Sequence, residues 1–239
     1  MHPDSQISAT LVCWGNAWLA GQAGLDEAAD RVEHQAGPQL VADERGDVPL
    51  RNFLADLRVE SLKSLRLALP VAGDPLGLTG PPPFNSAAIE AGQAVIAVLP
   101  GRCLGLIPAQ DRRGSSYAGV RWSVQEAGVS APAVPSLAEA EQALTLAMRE
   151  ATDALLGVAG PVQGYRQVKT FDDGLAPGYP ARAHRVAALA ARLTSVLRIA
   201  DDRGLTSGEV AVRGRALRDL DRAVRRARVA AHHAITELV

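Results

Sequence analysis

The sequence predicts an α+β protein: an N-terminal domain built on a mixed or antiparallel sheet with helices, followed by a mostly helical C-terminal region ending in an antiparallel helical hairpin. Three observations predict it. Apolar residues alternate with polar or small ones in stretches between Ser64 and Gln125, the period of half-buried strands. After Ser136 they recur every three or four positions, the period of a helix face. Between the two regimes, from Val129 to Ser136, two prolines among small residues break the pattern. The division is therefore placed at 1–130 and 131–239, the second part carrying a long loop at 159–179 and a terminal hairpin at 180–239.

Element by element, Ala9 to Trp14 reads as a buried strand that places Trp14, Asn16 and Trp18 on one face, either as core around a hydrogen-bonded Asn or as a ligand platform. A turn with Gly21 and Gly24 leads to a helix from Leu25 to Gln35, with Asp26, Glu27 and Asp30 near its positive end. Gln39 to Ala42 is a short strand, and Asp47 caps a helix from Pro49 to Arg58 with Leu50, Phe53, Leu54 and Leu57 on one face. Ser64 to Val71 is a half-buried strand. After a turn-rich segment, Asn85 or Ser86 caps a short helix to Ala91, and AVIAVL, CLGLIPA and Ala118 to Gln125 form a three-strand meander.

In the second part Ser136 and Glu139 have capping-box spacing, and Leu137, Leu144, Met148, Ala151 and Leu155 form the stripe behind them. A helix entering at Pro180 places Val186, Leu189, Leu193, Val196 and Ala200 on one face. The last helix, opened by Thr206 or Ser207, carries Leu217, Leu220, Val224, Ala227, Ala231, Ala234 and Leu238 as a seam that wants a helical partner. With no aromatic residue after Tyr179, that packing uses Ala, Leu, Val and Ile.

Composition bounds the function. Of 239 residues 47% are hydrophobic and 21% charged, enough to bury a core and too apolar for wholesale disorder. Two cysteines exclude a disulfide framework or a thiolate-rich zinc site and fit a reducing, cytoplasmic compartment. No signal peptide and no membrane span is read. The net charge of −1 is unevenly distributed: residues 181–239 hold twelve Arg and six acids, net +6, leaving net −7 on residues 1–180. Arg supplies twenty-three of the twenty-five basic residues, which weakens any special meaning for a single Arg.

Three segments are candidates for function. The loop from Gly73 to Ser86 lies between a strand and a helix, where backbone N–H groups hold phosphates or carboxylates, and Asp74, Thr79, Asn85 and Ser86 would orient a ligand there. It lacks the lysine and the spacing of a P-loop, so the other reading is a stiff proline-rich connection. The segment from Ala159 to Tyr179 is long for a helix connection and carries Tyr165, Arg166, Lys169, Phe171 and Tyr179. These either make a contact surface or fold down as packing. The final helix carries Arg215, Arg218, Arg222, Arg225 and Arg226, with Asp219 and Asp221 interleaved so that no one-sided stripe is expected.

Asp172 with Asp173 and Asp201 with Asp202 match no calcium loop, and the five histidines offer no metal-ligand spacing. No cofactor and no metal is therefore expected. GxSxG, HExxH and CxxC are absent, which leaves open whether the chain is an enzyme. The expectation is a non-catalytic cytoplasmic interaction or scaffold protein, using the 159–179 loop (Arg166, Phe171, Tyr179) and the basic hairpin (Arg218, Arg222, Arg225) for a protein partner or self-association through helices. The alternative is a small-molecule or phosphate-binding domain with Asp74, Thr79, Asn85, Ser86, Tyr165 and Lys169 around a pocket. Nucleic-acid binding by the Arg-rich helix is the third reading, disfavoured because aromatics for stacking are missing.

Overall fold

The computed structural model describes residues 7–43, 46–113, 117–156, 174–201 and 207–236. Among them the chain runs α1 (Ile7–Leu19), α2 (Leu25–Ala36), β1 (Gln39–Asp43), β2 (Gly46–Pro49), α3 (Leu50–Val59), β3 (Ser64–Ala68), α4 (Pro82–Ala91), β4 (Ala94–Leu99), β5 (Arg102–Arg113), β6 (Tyr117–Ala127), α5 (Leu137–Leu156), α6 (Ala181–Asp201) and α7 (Ser207–His233). The α+β class and the helical C-terminal region are as the sequence predicts. Two compact units emerge: Met1–Val134 with Leu175–Tyr179 and Ile235–Val239, and Pro135–Gly174 with Pro180–Ala234.

In the first unit six strands form one sheet in the order β2-β1-β6-β5-β4-β3. Only β1 and β6 pair parallel, so the sheet is mixed. The meander expected from the alternating sequence is β4-β5-β6. Pro100 and Gly101 make its first turn, Gly101 taking a φ of 74°, which glycine tolerates at no steric cost. Alternation sorts the strand residues onto two buried faces. Ala68, Ile96, Cys103, Ile107 and Ala127 meet Leu78, Phe84 and Ala88 from α4 and the loop before it. Gly105 admits the Phe84 ring, which a Cβ there would strike. The other face of β3 and β4 packs against α1, and α2 and α3 pack near β1.

Three local expectations are corrected. Ala9 to Trp14 is not a strand but the middle of α1. A continuous apolar run is ambiguous between a buried strand and a buried helix, and here Ile7, Leu11 and Val12, with small Ala9, Gly15 and Ala17, are buried as one helix. Asp47 does not cap α3. It lies on β2, and Pro49 occupies the cap position. Nor do Asn85 or Ser86 cap α4, which starts at Pro82 after Pro81, because proline's fixed φ suits the first helical turn.

The edge of the sheet at β3 is closed by the chain itself. Asn16 of α1 donates from Nδ2 to the Leu65 carbonyl at 2.7 Å and accepts the Leu65 N–H at 2.8 Å. Further along, the Leu69 N–H donates to the Leu76 carbonyl at 3.3 Å. At the opposite edge β2 is only four residues long and carries a charge and a proline, both of which discourage edge-to-edge pairing.

Among the described residues the second unit is three helices, α7 packing along both α5 and α6. The expected capping box is present: the Ser136 hydroxyl accepts the Glu139 N–H at 3.3 Å and Glu139 Oε2 accepts the Ser136 N–H at 2.9 Å. Leu137, Ala140, Leu144, Ala147 and Ala151 form the buried face of α5. Leu220, Val224, Ala227 and Ala231 of the expected α7 seam are buried, as is Ala234 just past the helix end. On α6 the buried face is Ala183, Val186, Ala187 and Ala190, and Val196, expected inside, is 54% exposed. Small alanines drive this shift, since they let a helix approach closely without a bulky seam.

Candidate functional site

The Gly73 to Ser86 loop uses its polar groups on itself. Val71 and Asp74 exchange backbone hydrogen bonds at 3.0 and 2.9 Å, closing a tight turn, and Asp74 is buried. The Thr79 hydroxyl donates to the Gly128 carbonyl at 3.0 Å, and Asn85 Oδ1 accepts the Gly80 N–H at 3.1 Å. The Gly128 N–H returns to the Gly80 carbonyl at 2.7 Å, so the loop is tied to the end of β6. Gly77, with a φ of 90°, lies so close to the Leu67 carbonyl that a Cβ would stand 2.9 Å from it. An anion site at a helix N-terminus needs free N–H donors. Pro81, Pro82 and Pro83 have none, and the Asn85 N–H already reaches the Pro81 carbonyl at 3.0 Å. Of the loop's four proposed ligand residues, Ser86 alone is exposed.

Of the 159–179 segment, Tyr165, Arg166, Lys169 and Phe171 lie outside the described residues. Tyr179 is described and is 7% exposed. Its hydroxyl donates to the Cys13 carbonyl at 3.5 Å, while the Cys13 thiol accepts the Ala176 N–H at 2.9 Å. Burial pushes the Tyr179 phenol well above its ordinary pKa. This aromatic packs against α1 within its own unit.

The basic helix is more one-sided than its sequence suggests. At about 100° per residue, Arg215, Arg218, Arg222, Arg225 and Arg226 fall within an arc of about 100°. That arc lies opposite the buried Leu220, Val224 and Ala227. Asp219 and Asp221 mark its two borders and do not interrupt it, so the expected interleaving is corrected. Arg215, Arg218 and Arg222 are exposed, whereas Arg225 and Arg226 are half-buried. Arg225 Nε pairs with Asp221 Oδ2 at 3.0 Å.

Several polar arrangements were missed because they join residues far apart in sequence. Asp47 on β2 pairs with Arg121 of β6 at 2.9 Å and Arg113 of β5 at 3.0 Å, and Arg113 also pairs with Asp111 at 2.9 Å. The Arg121 hydrogen bond, reinforced by Arg113, holds the Asp47 carboxyl below its ordinary pKa. The Trp14 ring carries the Arg31 guanidinium at 4.6 Å and the Trp18 ring carries Arg58 at 5.8 Å. Cys103 is faced not by its neighbour Arg102 but by Arg66 from β3, at 3.4 Å. Cross-strand and helix-to-helix pairs of this kind leave no local spacing to read. Among the described residues no group of three or more His, Cys, Asp or Glu side chains is placed to hold a metal ion. Among them, too, no helix is long and apolar enough to cross a membrane.

Comparison with known proteins gives two family matches that meet near the boundary between the units. Residues 8–140 match the model of the Rv1486c-like protein, N-terminal domain, and residues 138–229 that of the Rv1486c-like protein, C-terminal domain. The uncharacterized protein ML1804 of Mycobacterium leprae is 28% identical over 95% of this chain and 96% of its own length. The uncharacterized protein Rv1486c of Mycobacterium tuberculosis is 31% identical over 80% of this chain and 82% of its own. No solved structure matches. The chain belongs to the Rv1486c-like family.

Proposed function

We propose that this Rv1486c-like protein is a soluble, non-catalytic interaction protein of the cytoplasm, whose basic contact face is the outer arc of α7, with the 159–179 segment, its buried Tyr179 apart, as a second contact. One observation carries the reading: Arg215, Arg218 and Arg222 are exposed together on the side of α7 opposite its buried seam. Three guanidiniums on one helix face attract an acidic partner at long range, fix its register, and are sensitive to salt. The polar side chains of the Gly73 to Ser86 loop that would orient a small ligand, Thr79 and Asn85, are engaged in holding the loop, so the pocket reading draws no support from them.

The test is affinity purification of the tagged chain from its own cells at low salt, beside the variant Arg215→Glu, Arg218→Glu, Arg222→Glu. The expected result is a polypeptide partner at fixed stoichiometry with the parent chain and its loss with the variant. Equal recovery with both overturns the basic face as the contact. Recovery of nucleic acid in place of a polypeptide overturns the protein-partner reading, since phosphates would then be what the arginines meet. Fractionation of the same cells checks the compartment.

A further inference from the structure

We propose that the partner of the α7 face is a second copy of this chain, docked through the acidic flank of α2. This rests on the reading of α7 as the contact face and adds the identity of what it meets. On α2, Ala28, Ala29 and Val32 are buried, while Asp26, Asp30 and Glu33 are exposed and fall within an arc of about 60° at 100° per residue. On α7, Arg215, Arg218 and Arg222 are exposed and also fall within about 60°. Each set spans eight residues along its helix, seven steps of about 1.5 Å or about 10 Å.

The order of the spacings selects the orientation. The acids are separated by four and then three residues, and the arginines by three and then four. Only when the helices run antiparallel do the intervals coincide, setting Asp26 against Arg222, Asp30 against Arg218 and Glu33 against Arg215. Run parallel, the middle pair slips by one residue. The Asp26 carboxylate, although paired with Arg51 at 2.6 Å, remains 69% exposed and can accept a second guanidinium. Each copy offers one acidic and one basic face. A twofold axis relating two copies makes the same contact twice and closes the assembly at a dimer, whereas a single such contact leaves one face of each copy open. The charge division between residues 1–180 and 181–239 is then a property of the interface.

Sedimentation of the full chain tests this at about 20 mM and about 500 mM salt, where screening of exposed pairs differs severalfold in length. The parent chain is expected to dimerise at low salt and to weaken about tenfold or more at high salt. The variant Arg215→Glu, Arg218→Glu, Arg222→Glu and the variant Asp26→Arg, Asp30→Arg, Glu33→Arg are each expected to be monomeric at concentrations where the parent dimerises. Mixed in equal amounts they are expected to form a one-to-one heterodimer, because each then offers the face the other has lost. The single changes Arg218→Glu and Asp30→Arg repeat the test with less burden on folding, and circular dichroism verifies helix content.

A parent chain that stays monomeric at low salt overturns the inference, as do variants that dimerise like the parent or a mixture that fails to recover. If the parent is monomeric yet retains an acidic polypeptide through α7, only the self-partner falls and the reading of α7 as a contact face stands.

Discussion

Asn16 completes the sheet edge at Leu65: one carboxamide meets both outward-facing backbone groups of that residue, at 2.7 and 2.8 Å. A backbone pair left open on an edge strand is a template for another strand, and here a helix side chain imitates that strand. Gly15, the preceding residue, eases the approach, because a Cβ there would meet the far end of the Leu65 side chain. Both residues are buried, so the amide acts in a low-dielectric setting where an unmet partner is costly.

Replacing Asn16 by Ala therefore removes both hydrogen bonds to Leu65, leaving its N–H and carbonyl without that partner, and also the hydrogen bond between Asn16 and Tyr179. Each buried, unsatisfied group costs about 1 to 3 kcal/mol, and a loss of about 3 kcal/mol in urea unfolding is expected. Asn16→Asp restores the acceptor for the N–H but turns a carboxylate toward the Leu65 carbonyl, and should be no better than Ala. A change below about 1 kcal/mol would show that the edge is satisfied otherwise.

Phe84 and Gly105 form the second tight junction. The ring of Phe84 lies where a side chain at position 105 would begin, in the core between α4 and the sheet. Gly105→Ala overpacks that core and should cost about 1 to 3 kcal/mol. In the background of Phe84→Leu, which vacates the space, the same change should cost markedly less. A double-mutant cycle measures the coupling, and additive effects would separate the two residues.

Periodic features were legible in sequence and non-local ones were not. The capping box at Ser136 and the seam through Leu220, Val224 and Ala227 are set by residues three or four apart, and the β4-β5-β6 meander follows from alternation around short turns. The strand expected over Ala9 to Trp14 failed because a run with apolar residues on every side has no diagnostic period. The arc of arginines on α7 was obscured by Asp219 and Asp221, which sit beside it in sequence and at its borders in space. The parallel pairing of β1 with β6 joins residues about 80 positions apart, and nothing near Gln39 or Val120 announces it.

That pairing brings Trp122 beside Gln39. The indole N–H donates to Gln39 Oε1 at 2.9 Å, and Gln39 Nε2 donates onward to the Gly37 carbonyl at 2.6 Å. Trp122→Phe keeps an aromatic ring but leaves the Gln39 acceptor without its donor and opens space in the core. A loss of about 2 kcal/mol is expected in urea unfolding. The companion change Gln39→Leu in that background should recover part of it, because it removes the stranded amide.

His232 links stability to pH. Its Nδ1 stands 2.7 Å from the Arg228 carbonyl, and since a carbonyl only accepts, Nδ1 carries the proton and the neutral ring donates. Burial, with the Arg228 charge next, lowers its pKa from 6.5 to about 3. Unfolded chains therefore take up a proton at this residue below about pH 6.5 while folded ones resist it until about pH 3. The contribution is fully present above the upper value and is lost progressively as pH falls between the two. At about pH 5 the loss from this residue alone should be about 2 kcal/mol relative to neutral pH. His232→Asn keeps a donor for the Arg228 carbonyl and cannot titrate, so its stability should fall less between about pH 7 and 5. Urea unfolding of both chains at several pH values gives the difference in slope, and parallel curves would mean that the ring binds its proton as readily in the folded protein as in the unfolded chain.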